Sequence, residues 1–303
     1  MSERKVGLIG LDTTHAIAFT QLLNDPQEKH HVPWAGKVTC AYPGGSDDLE
    51  VSYSRVEAFT NKIKENYGVE ILNSPEAVAR NCDILLITAV DGRVHREFFE
   101  RTVKFGRPTF IDKPFTCDLE DAKAIVKLAA GASVPVMSCS SLRYAENFQM
   151  VLNQKGKADL LSCDVFGPMA FQPPIEGLYW YGCHCVEMIV AAMGVGCKSV
   201  SAFENNNHTQ ITMVWEDGRV ATLHGLRQGH TNFGFTFHYK SEVIFLNASK
   251  VEKPYYANLL ETIFRALPKG TSDIPSDEMI EVIRIIEAAN KARVNGGIVL
   301  AQD

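Results

Sequence analysis

The stretch from residue 82 to residue 139 reads CDILLITAVDGRVHREFFERTVKFGRPTFIDKPFTCDLEDAKAIVKLAAGASVPVMSC and decides the fold class. Short apolar runs alternate in it with segments of helical character. The first apolar run is nearly free of polar residues, as expected for a strand that helices cover on both faces. The alternation predicts a parallel, doubly wound sheet. The strand-like runs are Cys82–Val90, Pro108–Ile111 and Pro135–Cys139, and the helical segments are His95–Phe105 and Leu119–Ala130.

The same alternation extends back to the N-terminus. A strand is predicted over Lys5–Leu11, a helix over Ala16–Leu23 and a second strand over Lys37–Tyr42. A further helix is predicted over Ser54–Tyr67, with Gly68 as its C-terminal stop. Residues 1–140 are therefore predicted to form one Rossmann-like dinucleotide-binding domain.

The pattern changes after Arg143. Strands with period-two alternation dominate from Leu160 to Phe166 and from Lys198 to Asn247, and they include a hairpin turning at Asp217-Gly218. A final helix is predicted to begin with Ser276 as its N-cap and to stop at Gly296. Residues 141–303 are therefore predicted to form a second, α+β domain with a mostly antiparallel open sheet for substrate binding and oligomerisation.

Composition argues against several classes of partner. The net charge of −6 arises from mixed acidic and basic residues without a Lys/Arg block, so nucleic acid is not an expected partner. The apolar run Met188–Val195 is short of the ~20 residues that span a bilayer, and the N-terminus has no signal-peptide pattern. We expect a cytoplasmic protein whose eight cysteines, which have no C-x-x-C spacing, are mostly reduced and buried.

The segment Ile111-Asp112-Lys113-Pro114, within the longer stretch Ile87–Tyr144, resembles the Glu-Lys-Pro region of the Gfo/Idh/MocA oxidoreductases, with Asp112 in the glutamate position. The resemblance implies NAD(P)-dependent chemistry on sugars, cyclitols and related polyols, in an active site between the two domains. It also implies that Lys113 lies near both nicotinamide and substrate. A lysine at the end of a parallel strand lies where open α/β sheets bind ligands, and there it can stabilise alkoxide character.

A second segment, Gly177–Gly194, is similar to the family's active-site helix with its Asp-x-Gly-x-His-x-x-Asp pattern. Gly182 and His184 match, whereas Trp180 and Glu187 replace the two aspartates. The resemblance implies that His184 is the general acid/base, a role that suits the pKa of histidine. A histidine that only packs in the core is the alternative.

Cys183 and Cys185 flank His184 and invite a zinc interpretation, since cysteine, histidine and glutamate can all bind zinc. Neighbouring residues of one helix point in different directions and do not easily converge on one ion. We therefore predict no metal site.

The aligned phosphate-binding turn departs from the family's G-x-G-x-x-G pattern. The chain has Gly10-Leu11-Asp12-Thr13-Thr14-His15, so only the first glycine is kept. Asp12 is expected to place a carboxylate near the pyrophosphate and to cap the following helix, and His15 adds bulk. Asp47 and Asp48, in the loop after the second strand, could reach a ribose, although a solvated turn is the simpler interpretation. The cofactor, NAD or NADP, either binds in an altered way or has been lost.

These considerations define the candidate site residues. Lys113 and His184 are the catalytic candidates. The cofactor-side candidates are Gly10, Asp12, Thr13, Thr14, His15, Asp91, His95, Asp112, Lys113 and Pro114. The substrate-side candidates are Arg143, Tyr144, Trp180, Tyr181 and Glu187.

Three functions compete. The first is an NAD(P)-dependent oxidoreductase that transfers hydride to or from a hydroxyl or keto group of a sugar-, cyclitol- or polyol-like molecule. The second is a non-redox metabolite-binding protein of the same fold, and the third is a metal-dependent lyase or hydrolase. The alternating apolar positions of Phe233–Tyr239 and Glu242–Leu246 could cover a partner subunit, so a homodimer or larger homo-oligomer is expected.

Overall fold

The computed structural model describes residues 3–229 and 232–301, and any prediction that falls on the remaining six residues lies outside the described part. The chain forms two compact units. The first ends at Cys139 and also contains Tyr256–Ser276, and the second contains Ser140–Tyr255 and the chain from Asp277 onward. The predicted division at residue 140 did not include the return of Tyr256–Ser276 to the first unit. There Tyr256 contacts Phe19 at 5.9 Å between ring centroids.

The first unit is built on a six-stranded parallel sheet in the order β3-β2-β1-β4-β5-β6. Its strands are β1 (Lys5–Ile9), β2 (Lys37–Tyr42), β3 (Glu70–Ile71), β4 (Ile84–Ile87), β5 (Thr109–Ile111) and β6 (Val136–Ser138). Its helices are α1 (Thr14–Asn24), α2 (Glu50–Tyr53), α3 (Val56–Tyr67), α4 (Pro75–Asn81), α5 (His95–Thr102) and α6 (Leu119–Ala132).

The sheet confirms the predicted Rossmann-like class. All four residues of β4 are buried, as its continuous apolar sequence predicts for a central strand. The strand order reverses at β1, which pairs with β2 on one side and β4 on the other. In such sheets ligands bind outside the carboxyl ends of the strands at this reversal.

The short elements that the sequence prediction lacked include β3 and α4. β3 has only two residues, too few to show a periodicity. α4 did carry a start signal, because Ser74 caps it by accepting a hydrogen bond from the Ala77 N–H, and Pro75 occupies its first turn.

The second unit is built on a seven-stranded sheet in the order β12-β11-β7-β10-β9-β8-β13. Only the β7–β10 pair is parallel, which confirms the predicted mostly antiparallel sheet. Its strands are β7 (Leu160–Pro168), β8 (Cys197–Glu204), β9 (His208–Trp215), β10 (Val220–Leu226), β11 (Gly234–Tyr239), β12 (Val243–Asn247) and β13 (Ile298–Leu300). The later helices of the chain are α7 (Glu146–Lys155), α8 (Gly182–Met193), α9 (Tyr255–Ala266) and α10 (Ser276–Asn295).

Helix α8 packs against β7 and β10 and every one of its residues is buried. The strands show the alternation of a sheet with one covered face, since buried and partly exposed residues follow one another along β9. Ser276 is the first residue of α10 rather than a cap before it. Cys117 is half-buried and the other seven cysteines are buried, in line with small core residues.

Candidate active site

Gly10 directly follows β1 and adopts a φ of +93°. A Cβ at this position would lie 2.3 Å from the backbone of Ala89, which follows β4. Only glycine fits this close approach of two strand ends, so the one glycine kept from the family's turn is also the one that the packing requires.

Asp12 was expected to cap α1, and it does not. Thr13, not Asp12, is the N-cap of α1, and its hydroxyl accepts a hydrogen bond from the His15 N–H. The Asp12 carboxylate is fully buried and accepts hydrogen bonds from the Ser52 hydroxyl at 2.6 Å and the Val90 N–H at 3.0 Å. Burial raises the pKa of Asp12 above its ordinary value.

The start of α1 is therefore not capped by Asp12. The buried carboxylate of Asp12 is used inside the protein and takes no N–H group of α1. Thr14, the first residue of α1, is exposed at the helix N-terminus, where backbone N–H groups and the helix dipole favour negative charge.

His15 lies in the first turn of α1 and is 7% exposed. Its Nδ1 lies 2.5 Å from Asp112 Oδ2, and its Nε2 lies 2.9 Å from the Tyr256 hydroxyl. Burial alone would raise the pKa of Asp112, but the His15 ring and the Lys113 ammonium hold it below its ordinary value. The His15 side chain, which was expected to crowd the turn, thus contacts Asp112 at the end of β5.

Lys113 follows Asp112 at the end of β5 and is half-buried. Its backbone N–H donates to Asp112 Oδ1 at 2.9 Å. Pro114 packs so closely on Gly92 that a Cβ there would lie 2.7 Å from the proline ring. The segment after β5 is therefore fixed both by a carboxylate and by packing.

Asp91 is buried and accepts hydrogen bonds from the Arg93 guanidinium and the Ser46 hydroxyl. Burial would raise the pKa of Asp91, but these hydrogen bonds hold it below the ordinary value. Arg93 also donates two hydrogen bonds to Asp48, in the loop after β2. Sequence reasoning missed Arg93, and no local pattern indicated that it would join these two loops.

His95, a cofactor-side candidate, is the first residue of α5. Its ring is fully buried, with Nδ1 3.1 Å from the Phe115 carbonyl and Nε2 2.9 Å from the Ala89 carbonyl. Both nitrogens are thus engaged by backbone oxygens, and the ring ties together the segments that follow β4 and β5.

In the second unit, His184 lies in the first turn of α8 and is 8% exposed. Its Nδ1 lies 2.7 Å from Ser140 Oγ, and the rings of Tyr181 and Phe233 lie 5.5 Å from its ring centroid. Ser140 is a site residue that sequence reasoning missed, because the 44 positions between it and His184 leave no local signal.

Arg143 was predicted to contact substrate, but the structure commits its guanidinium to ion pairs. It binds Glu187 at 2.9 Å and also Glu278, and all three groups are largely buried. Burial raises the pKa of Glu187, whereas the Arg143 charge lowers it, with the net direction upward. A buried charge requires such partners, and Arg143 and Glu187 supply them to each other. Tyr144, a further substrate-side candidate, is 6% exposed.

A cavity of about 420 Å³ lies within the second unit. Tyr181 and Phe233, which contact the His184 ring, both line it, and Trp180 is half-buried beside Tyr181. The remaining lining residues are Pro168, Ala170, Leu226, Arg227, Gln228, Gly229 and Tyr255. Aromatic walls with a few polar groups are typical of small-molecule sites.

The zinc interpretation finds no geometric support in the described part of the chain, where no three His, Cys, Asp or Glu side chains are grouped to hold a metal ion. Cys185 is buried and burial raises the pKa of its thiol, which disfavours the thiolate that binds metals. Among residues 3–229 and 232–301, no helix is both long and apolar enough to cross a bilayer.

The comparison with protein families agrees with the Rossmann-like fold of the first unit. A family model described as an oxidoreductase family with an NAD-binding Rossmann fold matches residues 4–139. The match shows that residues 4–139 are similar to the Gfo/Idh/MocA family. The predicted resemblance is thus confirmed over these residues.

Solved structures extend the likeness of fold to 99% of the chain. The scyllo-inositol dehydrogenase from Lactobacillus casei, solved with NAD(H) and scyllo-inositol, is 14% identical with a TM-score of 0.79, and 99% of each chain is covered. An oxidoreductase from Agrobacterium radiobacter, solved with NAD+, L-tartaric acid and magnesium, is 16% identical with a TM-score of 0.75, and again 99% of each chain is covered. At these identities the likeness shows a shared fold.

One curated relative matches over a short segment. The uncharacterized protein YMR315W of Saccharomyces cerevisiae is 36% identical over 76 residues, which are 25% of this chain and 20% of that protein. The matched segment therefore spans a fifth of the relative's length.

Proposed function

We propose that the protein is an NAD(P)-dependent oxidoreductase that transfers hydride to or from a hydroxyl or keto group of a sugar-, cyclitol- or polyol-like molecule. The inward-facing carboxylate of Asp12 carries this proposal, because it removes the main objection to dinucleotide binding at the altered turn. The start of α1 can hold a pyrophosphate near Gly10 and Thr14. The family match over residues 4–139 and the NAD-bound neighbours support the same function.

Lys113 is proposed to act as an electrostatic stabiliser. Its ammonium group, at the carboxyl end of β5, would stabilise negative charge on the substrate oxygen as that oxygen gains or loses its proton. The bound cofactor supplies or accepts the hydride, and the protein supplies orientation and electrostatics. We propose that Gly10, Thr13 and Thr14 contact the cofactor, with Pro114 fixing the segment at Lys113.

His184 is proposed to accept the hydroxyl proton at Nε2 in the oxidative direction. This role requires the other nitrogen, Nδ1, to carry a proton and donate it in a hydrogen bond, and Ser140 Oγ is placed to accept it. Ser140 thereby holds the ring in one tautomer. The backbone N–H of Ser140 donates to the Glu187 carboxylate, which is paired with Arg143. The Arg143–Glu187 pair therefore anchors Ser140, the residue that orients His184.

The cavity beside His184 is proposed to hold the substrate. Tyr181 and Phe233 offer flat faces to the C–H groups of a ring, and Gln228 offers an amide to its hydroxyls. The scyllo-inositol bound to the Lactobacillus casei dehydrogenase is a molecule of this class. A cytoplasmic location and a homo-oligomer stay predictions of the sequence.

Calorimetric titration with NADH, NADPH and their oxidised forms tests the proposal, and we expect binding of at least one pair in the micromolar range. Thr14→Asp is the matched variant, because an aspartate in the first turn favours the helix but repels a pyrophosphate. It should fold normally and bind about tenfold more weakly, a change of about 1.4 kcal/mol, whereas Thr14→Ala should bind like the wild type. Absence of binding by any of the four nucleotides would contradict the proposal and favour a non-redox metabolite-binding protein.

A further inference from the structure

Two of the chain's departures from the family pattern contact each other. His15 stands in the place of the third glycine of the phosphate turn, and Asp112 stands in the place of the glutamate before the lysine. In the first unit their side chains meet, with His15 Nδ1 2.5 Å from Asp112 Oδ2. Both are buried, with 7% and 3% of their surface exposed.

The two residues depend on each other physically. Asp112 is 3% exposed, and an ionised carboxylate at such a buried position is costly without a hydrogen-bonding partner. Aspartate is one methylene shorter than glutamate, which leaves room for the imidazole. The Tyr256 hydroxyl binds His15 Nε2 at 2.9 Å and fixes the ring from its other side.

This pair also reaches Lys113. Asp112 Oδ1 accepts the Lys113 N–H at 2.9 Å, while Oδ2 is turned to His15. The Lys113 ammonium acts on the same carboxylate through its charge, since it helps to lower the pKa of Asp112. Without His15, the second oxygen of Asp112 would lose its partner and would compete for that ammonium.

We propose that His15 is a positioning residue for Lys113 and that it acts through Asp112. Under this proposal, histidine at position 15 and aspartate at position 112 compensate each other's departure from the family pattern. The inference rests on the proposed function, in which Lys113 serves the nicotinamide end of the cofactor. His15 keeps the Asp112 carboxylate engaged, so that the charge of Lys113 is directed to the reacting groups.

A double-mutant cycle tests this inference with four proteins: the wild type, His15→Gly, Asp112→Glu and the variant with both changes, which restores the family's residues. NADH and ADP-ribose are titrated into each by calorimetry. ADP-ribose lacks the nicotinamide, so the ratio of the two affinities isolates the nicotinamide end and cancels effects on the pyrophosphate site. We expect each single change to lower this ratio about tenfold and the double variant to recover it to within about threefold.

Two outcomes would overturn the inference while leaving the proposed function standing. In the first, the losses of affinity ratio in the two single variants add up in the double variant. In the second, no variant changes the ratio. Failure of the wild type to bind either ligand would instead contradict the proposed function, and with it the role of His15 at the nicotinamide end. Should His15→Gly fail to fold, His15→Gln replaces it, because its amide keeps an N–H donor and should show a smaller loss. Thermal unfolding of every variant identifies losses that come from the fold alone.

Discussion

At the scale of single residues, Asp12 shows that the direction of a side chain decides what its charge does. In the sequence its carboxylate was expected to lie near the pyrophosphate, whereas in the structure it is turned to Ser52 and Val90. Its carboxylate is 0% exposed and is held by a hydroxyl and a backbone N–H. The sequence identified an acid in the phosphate turn but could not show its direction. That direction depends on Ser52, which lies 40 positions away.

Asp12 also makes stability depend on pH. Burial raises its pKa in the folded state above the ordinary value of an aspartate, so the folded protein binds this proton more tightly than the unfolded chain. The contribution of Asp12 to stability is fully present below the unfolded pKa and is lost as the pH rises through the folded pKa. We expect Asp12→Asn, a neutral residue of the same shape, to be more stable than the wild type at pH 7 by about 1 kcal/mol, with a smaller difference near pH 4. Urea unfolding at both pH values measures this, and a variant that is less stable at pH 7 would contradict it.

The hydrogen bond between Ser140 and His184 leads to a second prediction at the scale of single residues. Ser140→Ala removes the oxygen that we propose as the acceptor of the His184 Nδ1 proton, so the ring should lose its preference for one tautomer. Nitrogen NMR of labelled histidine, assigned with His184→Gln, measures the tautomer without needing a substrate. We expect a protonated Nδ1 in the wild type and in the control Ser140→Thr, and mixed tautomers in Ser140→Ala. A wild type with its proton on Nε2 would contradict the role given to His184.

At the scale of elements, charged groups join segments that are far apart in sequence. Arg93, after β4, pairs with Asp48 in the loop after β2, close to where Rossmann sheets distinguish NAD from NADP. Asp48→Ala should free the guanidinium to bind a 2′-phosphate, raising the affinity for NADPH relative to NADH about tenfold. Asp47→Ala, which removes the neighbouring acid, is the control for a general change of charge. Calorimetry that shows the same ratio in both variants would count against this role of Arg93.

Arg143 joins the segment after β6 to α8 through Glu187 and to α10 through Glu278. Arg143→Met should destabilise the protein by about 3–5 kcal/mol at pH 7, because it leaves buried Glu187 without its counter-charge. The folded pKa of Glu187 is already raised and should rise further in the variant, so the loss should be smaller at pH 5 than at pH 7. Adding Glu187→Gln should recover part of the stability. Unfolding experiments that show equal losses at both pH values would contradict this account.

These elements also show what sequence could and could not predict. The alternation of apolar and helical segments was sufficient for β1, β2 and β4–β6, because a buried strand and an amphipathic helix each carry their own pattern. The return of α9 to the first unit was not predicted, since nothing within Tyr255–Ala266 states which core its apolar face joins. The catalytic candidates were found by motif, whereas Ser140 and Arg93 act through distant partners that only the fold brings together.

At the scale of the whole molecule, the central claim is that the altered turn still binds a dinucleotide with its nicotinamide end toward Lys113. The most direct measurement is a crystal structure of the wild-type protein grown with NADH or NADPH. We expect the pyrophosphate at the start of α1, beside Gly10 and Thr14, and the nicotinamide beside Lys113 and the His15–Asp112 pair. A structure in which saturating nucleotide is absent from the start of α1 would contradict the claim.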